Sequence, residues 1–294
     1  MRGRSPGGNM TAVVLDGIVL GLQFGLLGLG LTLVFGLGGV LNLAHGQLAM
    51  LGAVVVVLAV DAGASTVVAV LAGLLAAGAV GLAIDLSLMR PVYRQRGERR
   101  VLLGLLLMLG VAFIIEGVLV WRYPIESLSL PVGGEPVPIL GVSMRTGSLL
   151  ASGISIAVGG VLVAFFRFTT VGRAVRSVIQ DEEGAQLCGV NPAVVRSLIW
   201  VVAAALAALV AVTRSMTSPV SVTAGIDLTI LALIVAVVGG LGSVSGAFLA
   251  GVLLGIVNTV SSFYIGSYVT TIVLLLAAAV TIVFRPAGLL GQSG

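Results

Sequence analysis

Residues 167–196 read RFTTVGRAVRSVIQDEEGAQLCGVNPAVVR and separate two long apolar stretches of the chain. This polar segment and the neighbouring Arg214 contain five of the fifteen basic residues, and residues 181–183 add three of the eleven acidic residues. Because a membrane protein that concentrates charge in one mid-sequence loop usually contacts a soluble partner there, this segment predicts a docking surface. The alternative interpretation is an ordinary cytoplasmic loop whose arginines only set the topology.

The composition around the polar segment is that of a membrane protein. Of the 294 residues, 59% are hydrophobic and 9% are charged, and the mean hydropathy is +1.22, whereas about a quarter of the residues in a soluble domain are charged. Several apolar runs reach the roughly 20 residues that a helix needs to cross a bilayer. Transmembrane strands would alternate polar and apolar residues instead. The sequence predicts an all-α polytopic membrane protein, a bundle of about eight transmembrane helices forming one domain over residues 1–294.

The arginines predict the orientation of this bundle. Residues 90–100 contain five arginines and the polar segment contains four more, so the positive-inside rule places both in the cytoplasm. Two helices are expected between them, at about 101–120 and 148–166, and this even number satisfies the rule. The proline-rich residues 121–147 then form an external loop. Further helices are expected at about 11–36, up to 60, 67–89, 196–212 and 269–284.

Several kinds of chemistry are excluded by the residue types present. The chain has no lysine, so it cannot complete a P-loop nucleotide site. Its single histidine, His45, excludes an HExxH zinc site, and its single cysteine, Cys188, excludes an intrachain disulfide. The net charge of +4 comes without the basic tail that is typical of nucleic-acid binding. We therefore expect no metal, no cofactor, no nucleic-acid partner and no enzyme, unless His45 serves an intramembrane active site.

One candidate functional stretch is GLGGVLNLAHGQLAMLGA, residues 36–53. Three glycines open it, and Asn42, His45 and Gln47 interrupt its apolar pattern. If the stretch is helical, Asn42 and His45 share a face. Polar groups at membrane depth must face protein or water, so these side chains should line the translocation path or pack between helices. For His45 we favour a packing hydrogen bond to a neighbouring helix, and we expect Asp85 further along to reach water.

A second glycine-opened interruption, GGLGSVSGAF, occupies residues 239–248. Its glycines should break or bend the span, giving two shorter helices or one broken helix, with Gly240, Gly242 and Ser243 as path or packing residues. Paired interruptions in two halves of a transporter are typical of a transport path between inverted repeats. Small-residue packing between helices is the alternative.

The polar segment should itself be helical. Thr169 or Thr170 is a suitable N-cap for a helix over about 171–186, and Gly189 is a suitable C-cap. In such a helix the arginines precede the acids, which opposes the helix dipole. That arrangement favours a partner surface that the charges would contact.

Three motifs resemble one family. The stretch NLAHGQLAMLGA resembles the N-x-A-H-G segment of permease subunits from ATP-binding-cassette importers of branched-chain amino acids, of the H-type, and of related urea and amide importers. GRAVRSVIQDEEGAQLCGVNP resembles the cytoplasmic coupling segment of that family, and GGLGSVSGAFLAGVLLG its later glycine-rich segment. Order and spacing match from about residue 20 to residue 291.

The resemblance implies an alternating-access permease subunit in a bacterial-type plasma membrane, with a coupling segment at about 167–197. It would act with a second homologous permease, two cytoplasmic ATPases that bind the ATP, and an extracytoplasmic binding protein. It also implies path or packing roles for Asn42, Ala44, His45 and Gly46. By position, the ATPase-docking candidates are Gly172, Arg173, Arg176, Asp181, Ala185 and Gly189. The alternative function is a stand-alone channel or secondary carrier for a small solute such as urea or an amide.

Overall fold

The computed structural model describes residues 6–123, 127–130, 132–285 and 287–290, so two prolines of the expected external loop, at 124 and 131, lie outside it. Twelve α-helices and four short strands form within these ranges. The helices are α1 Pro6–Gly38, α2 His45–Asp61, α3 Thr66–Ile84, α4 Arg90–Tyr93, α5 Glu98–Arg122, α6 Thr146–Phe168, α7 Thr170–Gln180, α8 Glu182–Leu187, α9 Pro192–Thr217, α10 Gly225–Gly239, α11 Val244–Ile265 and α12 Ser267–Phe284. The strands are β1 Ser127–Leu128, β2 Val137–Ile139, β3 Val142–Met144 and β4 Val220–Ser221.

Eight helical stretches within the described ranges are long and apolar enough to cross a membrane. They comprise α1, the continuous helix from α3 through a π-helical turn to α4, and then α5, α6, α9, α10, α11 and α12. The helix α2 is apolar but has only 17 residues. This confirms the predicted all-α membrane fold with about eight spans.

The helix α1 lies at the centre of the bundle, and its buried residues 21–34 are apolar on every side apart from Gln23 and Thr32. Leu26, Leu27 and Leu31 in its middle are completely buried. It packs closely along α11 through glycines on both helices: a Cβ atom on Gly251 would lie 2.2 Å from the Gly25 nitrogen, and one on Gly255 would lie 2.1 Å from the Gly21 Cα. The abundant glycines therefore allow close contact between helix backbones.

Two sets of three helices show the same pattern of contacts in opposite orientations. The helix α1 packs on α10 and α11, α9 packs on α2 and α3, and α2 packs on α10. The last turn of α1 meets the first turn of α9, because Arg196 Nε donates to Leu37 O at 3.1 Å, so α1 and α9 run antiparallel. The sets α1–α3 and α9–α11 are therefore related as inverted repeats.

This relation identifies a different pair of interruptions from the one expected. The non-helical residues 39–44, which precede α2, correspond to residues 218–224, which precede α10. Residues 239–248 do break the chain into two helices as predicted, but their turn between α10 and α11 corresponds to the turn between α2 and α3. Asn42 lies outside the helix, so the expected helical face shared by Asn42 and His45 does not form.

The polar segment forms two helices, so the single helix expected over 171–186 is wrong. The chain leaves the helical conformation at Asp181, whose side chain caps the next helix by accepting a hydrogen bond from Glu183 N at 3.1 Å. Glu182 and Glu183 consequently occupy the first turn of α8, where acids suit the helix dipole. The dipole argument for a partner surface no longer applies.

The two arginine-rich regions lie at the same end of the bundle, as the positive-inside rule predicts. Arg96 and Glu183 approach to 3.8 Å there. At the opposite end, β1 pairs with β4 through Leu128 and Val220, and β2 and β3 form a hairpin. The residues that follow α5 therefore fold over the far end of α9.

Candidate functional site

The stretch before α2 forms a turn that is closed by a local hydrogen bond. Asn42 Oδ1 accepts from Ala44 N at 3.0 Å, and both residues are at most 1% exposed. When the side-chain oxygen of an Asn accepts from the backbone N–H two residues ahead, it takes the place of a backbone carbonyl oxygen, and a turn of this kind forms. This turn aims the chain into the first turn of α2 inside the bundle.

His45 begins α2 and is completely buried against α1. Its Nε2 lies 3.1 Å from Leu27 O. A carbonyl oxygen only accepts, so Nε2 carries the proton. The ring fits over Gly30, where a Cβ atom would lie 2.9 Å from the imidazole Cε1. His45 thus makes the interhelical packing hydrogen bond that was favoured from the sequence.

Gly46 brings the starts of α2 and α10 into direct contact. Its N–H donates to Thr229 Oγ1 at 2.9 Å, and that hydroxyl in turn donates to Gly225 O at 3.0 Å. A Cβ atom on Gly46 would lie 1.8 Å from the same Gly225 oxygen. The corresponding helices of the two inverted repeats therefore begin against each other inside the bundle.

Gln47 extends this contact to α5. It is completely buried, and its Nε2 donates to Glu116 Oε2 at 3.1 Å. The other amide atom, Oε1, has no hydrogen-bond partner among the described residues. An acidic side chain at this depth is costly unless it is paired or reaches water. In this conformation the predicted path residues Asn42 to Gln47 face protein on all sides, and their role in a path stays a prediction.

The turn between α10 and α11 needs glycines, because Gly240 has φ 104° and Gly242 has φ 94°. Ser243 follows and caps α11 by accepting from Gly246 N at 3.2 Å, while its hydroxyl donates to Leu290 O at 3.1 Å. The C-terminal residues are held over this turn by Leu289 N, which donates to Val238 O at 2.9 Å.

A cavity of about 620 Å³ lies beneath this turn, at the end of the bundle that holds the polar segment. Gly242 and Ser243 line it from one side, and Arg176 lines it from α7. Phe166 and Leu33 close its inner wall from α6 and α1. The structure thus brings together residues that the sequence assigned to two separate sites.

The docking candidates of the polar segment divide by exposure. Arg173, Arg176, Asp181 and Gly189 are exposed, and Gly189 has the positive φ of 83° that suits its predicted capping role. Gly172 and Ala185 are buried. A Cβ atom on Gly172 would lie 2.1 Å from Phe166 O, so this glycine lets α7 turn closely against the end of α6. Thr169 caps α7 as expected, accepting from Gly172 N at 3.1 Å.

A buried charged cluster was not predicted from the sequence. Arg196 is 7% exposed and pairs with Glu182. Its guanidinium carbon lies 4.5 Å from the centre of the Tyr93 ring, and the Tyr93 hydroxyl accepts from Trp200 Nε1 at 2.9 Å. The sequence signal was an arginine in the first turn of a membrane helix, but the sequence does not reveal its partners.

Asp85 was expected to reach water and does not. It is 1% exposed and accepts a hydrogen bond from the hydroxyl of Ser197. The π-helical turn Asp85–Met89 begins at this residue, next to α9 and the Arg196 cluster. No group of three or more possible metal ligands occurs within the described ranges.

A family model for the permease component of the branched-chain amino acid transport system matches residues 13–284. The chain belongs to this family. It is 29% identical over 294 residues to the permease protein BraD of the high-affinity branched-chain amino acid transport system of Pseudomonas aeruginosa, covering 95% of each chain. It is 27% identical over 292 residues to the corresponding LivH of Escherichia coli K12, covering 94% of each.

These matches confirm the H-type resemblance and decide against a stand-alone channel or carrier. PsaBC from Streptococcus pneumoniae, solved in complex with Fab, has a TM-score of 0.51 and 14% identity, covering 92% of this chain and 91% of that one. At this identity the likeness shows the fold alone. As a permease component, the chain is a multi-pass transport subunit and not an enzyme, and the ATPase of such a system is a separate subunit.

Proposed function

We propose that this chain carries branched-chain amino acids through the bacterial-type plasma membrane by alternating access, driven by ATPases that dock on the polar segment. The observation that carries the docking assignment is the exposed face of α7. Arg173 and Arg176 lie three residues apart on the side of this helix opposite the buried Val175 and Val178. Arg173 is exposed, whereas Arg176 also donates to Phe166 O at the end of α6. A fixed amphipathic helix with a cationic outer face suits a soluble, acidic partner surface.

We infer the rest of the assembly from membership in the permease family of such transport systems. The chain would pair with a second homologous permease, bind two ATPase subunits at the arginine-rich end, and receive substrate from an extracytoplasmic binding protein at the other end. Residues 1–294 would act as one permease domain, with the coupling segment at 167–197 and the external loop at 121–147. Asp181 and Gly189 would complete the docking surface, with Gly172 and Ala185 supporting it from within.

The path itself would open where the inverted repeats meet. The starts of α2 and α10 touch at Gly46 and Gly225, and the cavity beside Gly242 and Ser243 opens at the docking end. Separation of the two repeats at this contact would change the exposure of Asn42, His45 and Gln47. These buried side chains would then line the path in a conformation other than the present one.

The test of docking is co-purification of the ATPases with the tagged permease from membranes that contain the whole transport system. The variant Arg173→Glu/Arg176→Glu should lose the ATPases while the permease still purifies as a folded protein. The matched control is Arg96→Glu/Arg99→Glu, which changes the same charges at the same spacing on exposed residues just before α5 and in its first turn. ATPase retention by the first variant, or equal loss from both, would refute the assignment of α7.

A further inference from the structure

Arg196 connects the polar segment to the membrane helices through three different partners. Its side chain forms an ion pair with Glu182 in the first turn of α8. Its Nε donates to Leu37 O in the last turn of α1 at 3.1 Å. The flat guanidinium also lies over the Tyr93 ring, at 4.5 Å from the ring centre. Three elements that are distant in the sequence therefore meet on one side chain of α9.

Burial makes these contacts interdependent. Arg196 is 7% exposed, so its charge has exchanged water for these partners. The loss of Glu182 would remove the ion-pair partner of this buried charge, which costs more than the loss of an exposed ion pair. The neighbouring pair Arg96–Glu183 provides the contrast, because its side chains are 93% and 87% exposed. A displacement of α8 therefore acts on Arg196 but is poorly transmitted by Arg96.

The Tyr93 ring is held in place from its other edge. Its hydroxyl accepts the hydrogen bond of Trp200 Nε1 at 2.9 Å, and Trp200 is 1% exposed. Arg100 lies over the same ring at 5.1 Å. The ring is thus a fixed surface against which the guanidinium rests.

The helix α1 extends this link into the bundle. Leu37 O, in the last turn of α1, accepts from Arg196, and Leu27 O, further inside the bundle, lies 3.1 Å from His45 Nε2. Ten residues of helix separate the two carbonyls, a distance of about 15 Å along the axis. The helix α1 is continuous between the two carbonyls, so a rigid-body shift at Leu37 would also displace the contact between α1 and the start of α2.

We propose that Arg196 is a positioning residue that transmits movement of the docked polar segment to α1 and so couples ATP hydrolysis to substrate movement. This inference rests on the proposed function, because it requires ATPases that dock on the polar segment. It separates two roles in that segment: Arg173 and Arg176 hold the partner, and the Glu182–Arg196 pair conveys its movement inward.

The experiment uses the complete transport system reconstituted in liposomes, with radiolabelled leucine as the probe. Three quantities are measured for each variant: ATPase co-purified with the permease, ATP hydrolysed, and leucine moved. Glu182→Gln and Arg196→Lys should keep the ATPase bound but lower the leucine moved per ATP hydrolysed by about tenfold. Lysine retains the charge but, as a single ammonium, cannot contact Glu182, the Leu37 carbonyl and the Tyr93 ring together in the way the guanidinium does.

Glu183→Gln is the matched control, since it removes the adjacent acid of the same helix and should leave the ratio unchanged. A merely structural role would lower hydrolysis and leucine movement together, with the ratio preserved. That result would overturn the proposal, as would a normal ratio in Glu182→Gln. If Arg196→Lys does not fold, Glu182→Gln carries the test alone. Failure of the wild-type protein to bind any ATPase would refute the proposed function. Loss of the ATPase from Glu182→Gln alone would show that Glu182 is a docking residue, and it would refute the coupling role.

Discussion

The imidazole of His45 and the carbonyl oxygen of Leu27 lie 3.1 Å apart and join the start of α2 to the middle of α1. The bond connects a break in one membrane helix to the most deeply buried helix of the bundle. Its geometry assigns the proton to Nε2 and leaves Nδ1 without a partner among the described residues. The lone histidine of the chain therefore acts first as an interhelical contact.

Replacement of His45 by alanine should destabilise the permease by about 2–4 kcal/mol, because it removes a buried hydrogen bond and leaves a cavity beside Gly30. Glutamine, which can still donate to Leu27 O, should restore part of this loss. Thermal unfolding in detergent measures the effect. A His45→Ala protein as stable as wild type that moves no leucine would show that the side chain serves the path and not the packing.

Gly46→Ala should prevent the bundle from closing. The added methyl group would lie 1.8 Å from Gly225 O, and this contact is with backbone that cannot turn aside. We expect little folded protein, or a melting temperature far below that of wild type, since overpacking of a tight contact costs about 1–3 kcal/mol or more. Gly110→Ala in α5 is the matched control, since among the described residues no atom beyond the adjoining residues and backbone of α5 lies within 4 Å of its Cβ position. Equal stability of the two variants would contradict the close contact of α2 and α10.

Glu116→Ala should be more harmful than Glu116→Gln. Alanine leaves the buried Gln47 amide without its acceptor at 3.1 Å, at a cost of about 1–3 kcal/mol. Glutamine keeps a carbonyl oxygen in reach, and its amide can also donate to Gln47 Oε1. The comparison is made by thermal unfolding and by leucine uptake. If both variants behave alike, the bond between α2 and α5 does not contribute to stability.

The membrane helices were predictable because each is a long apolar run, and the run alone decides that it crosses the bilayer. The break at residues 239–248 was predictable because positive φ angles at Gly240 and Gly242 need glycine. The break at Asp181 was missed, since a helix through this residue and a cap formed by its carboxylate are both compatible with the local sequence. Only packing of α7 and α8 against the bundle decides between them.

The burial of Arg196 could not be predicted for a different reason. Its acceptor on Leu37 lies 159 positions away in the sequence, and the Ser197 partner of Asp85 lies 112 positions away. Charges near the end of a membrane helix usually reach water, so Asp85 was expected to do so. Tertiary contact between α3, α9 and α1 instead supplies the partners that make burial possible.

Ser243→Ala should loosen the C-terminal residues that cover the cavity. The hydroxyl of Ser243 caps α11 through Gly246 N and donates to Leu290 O, so alanine removes both contacts at a cost of about 1 kcal/mol. Amide hydrogen exchange at the described residues 287–290 should accelerate, because the segment loses its contact with Ser243. Only backbone bonds such as that from Leu289 N to Val238 O would then hold it. Ser245→Ala is the control, since Ser245 lines the same cavity but does not cap α11. Unchanged exchange in Ser243→Ala would show that the backbone bonds of Leu289 and Leu290 alone hold this segment over the turn.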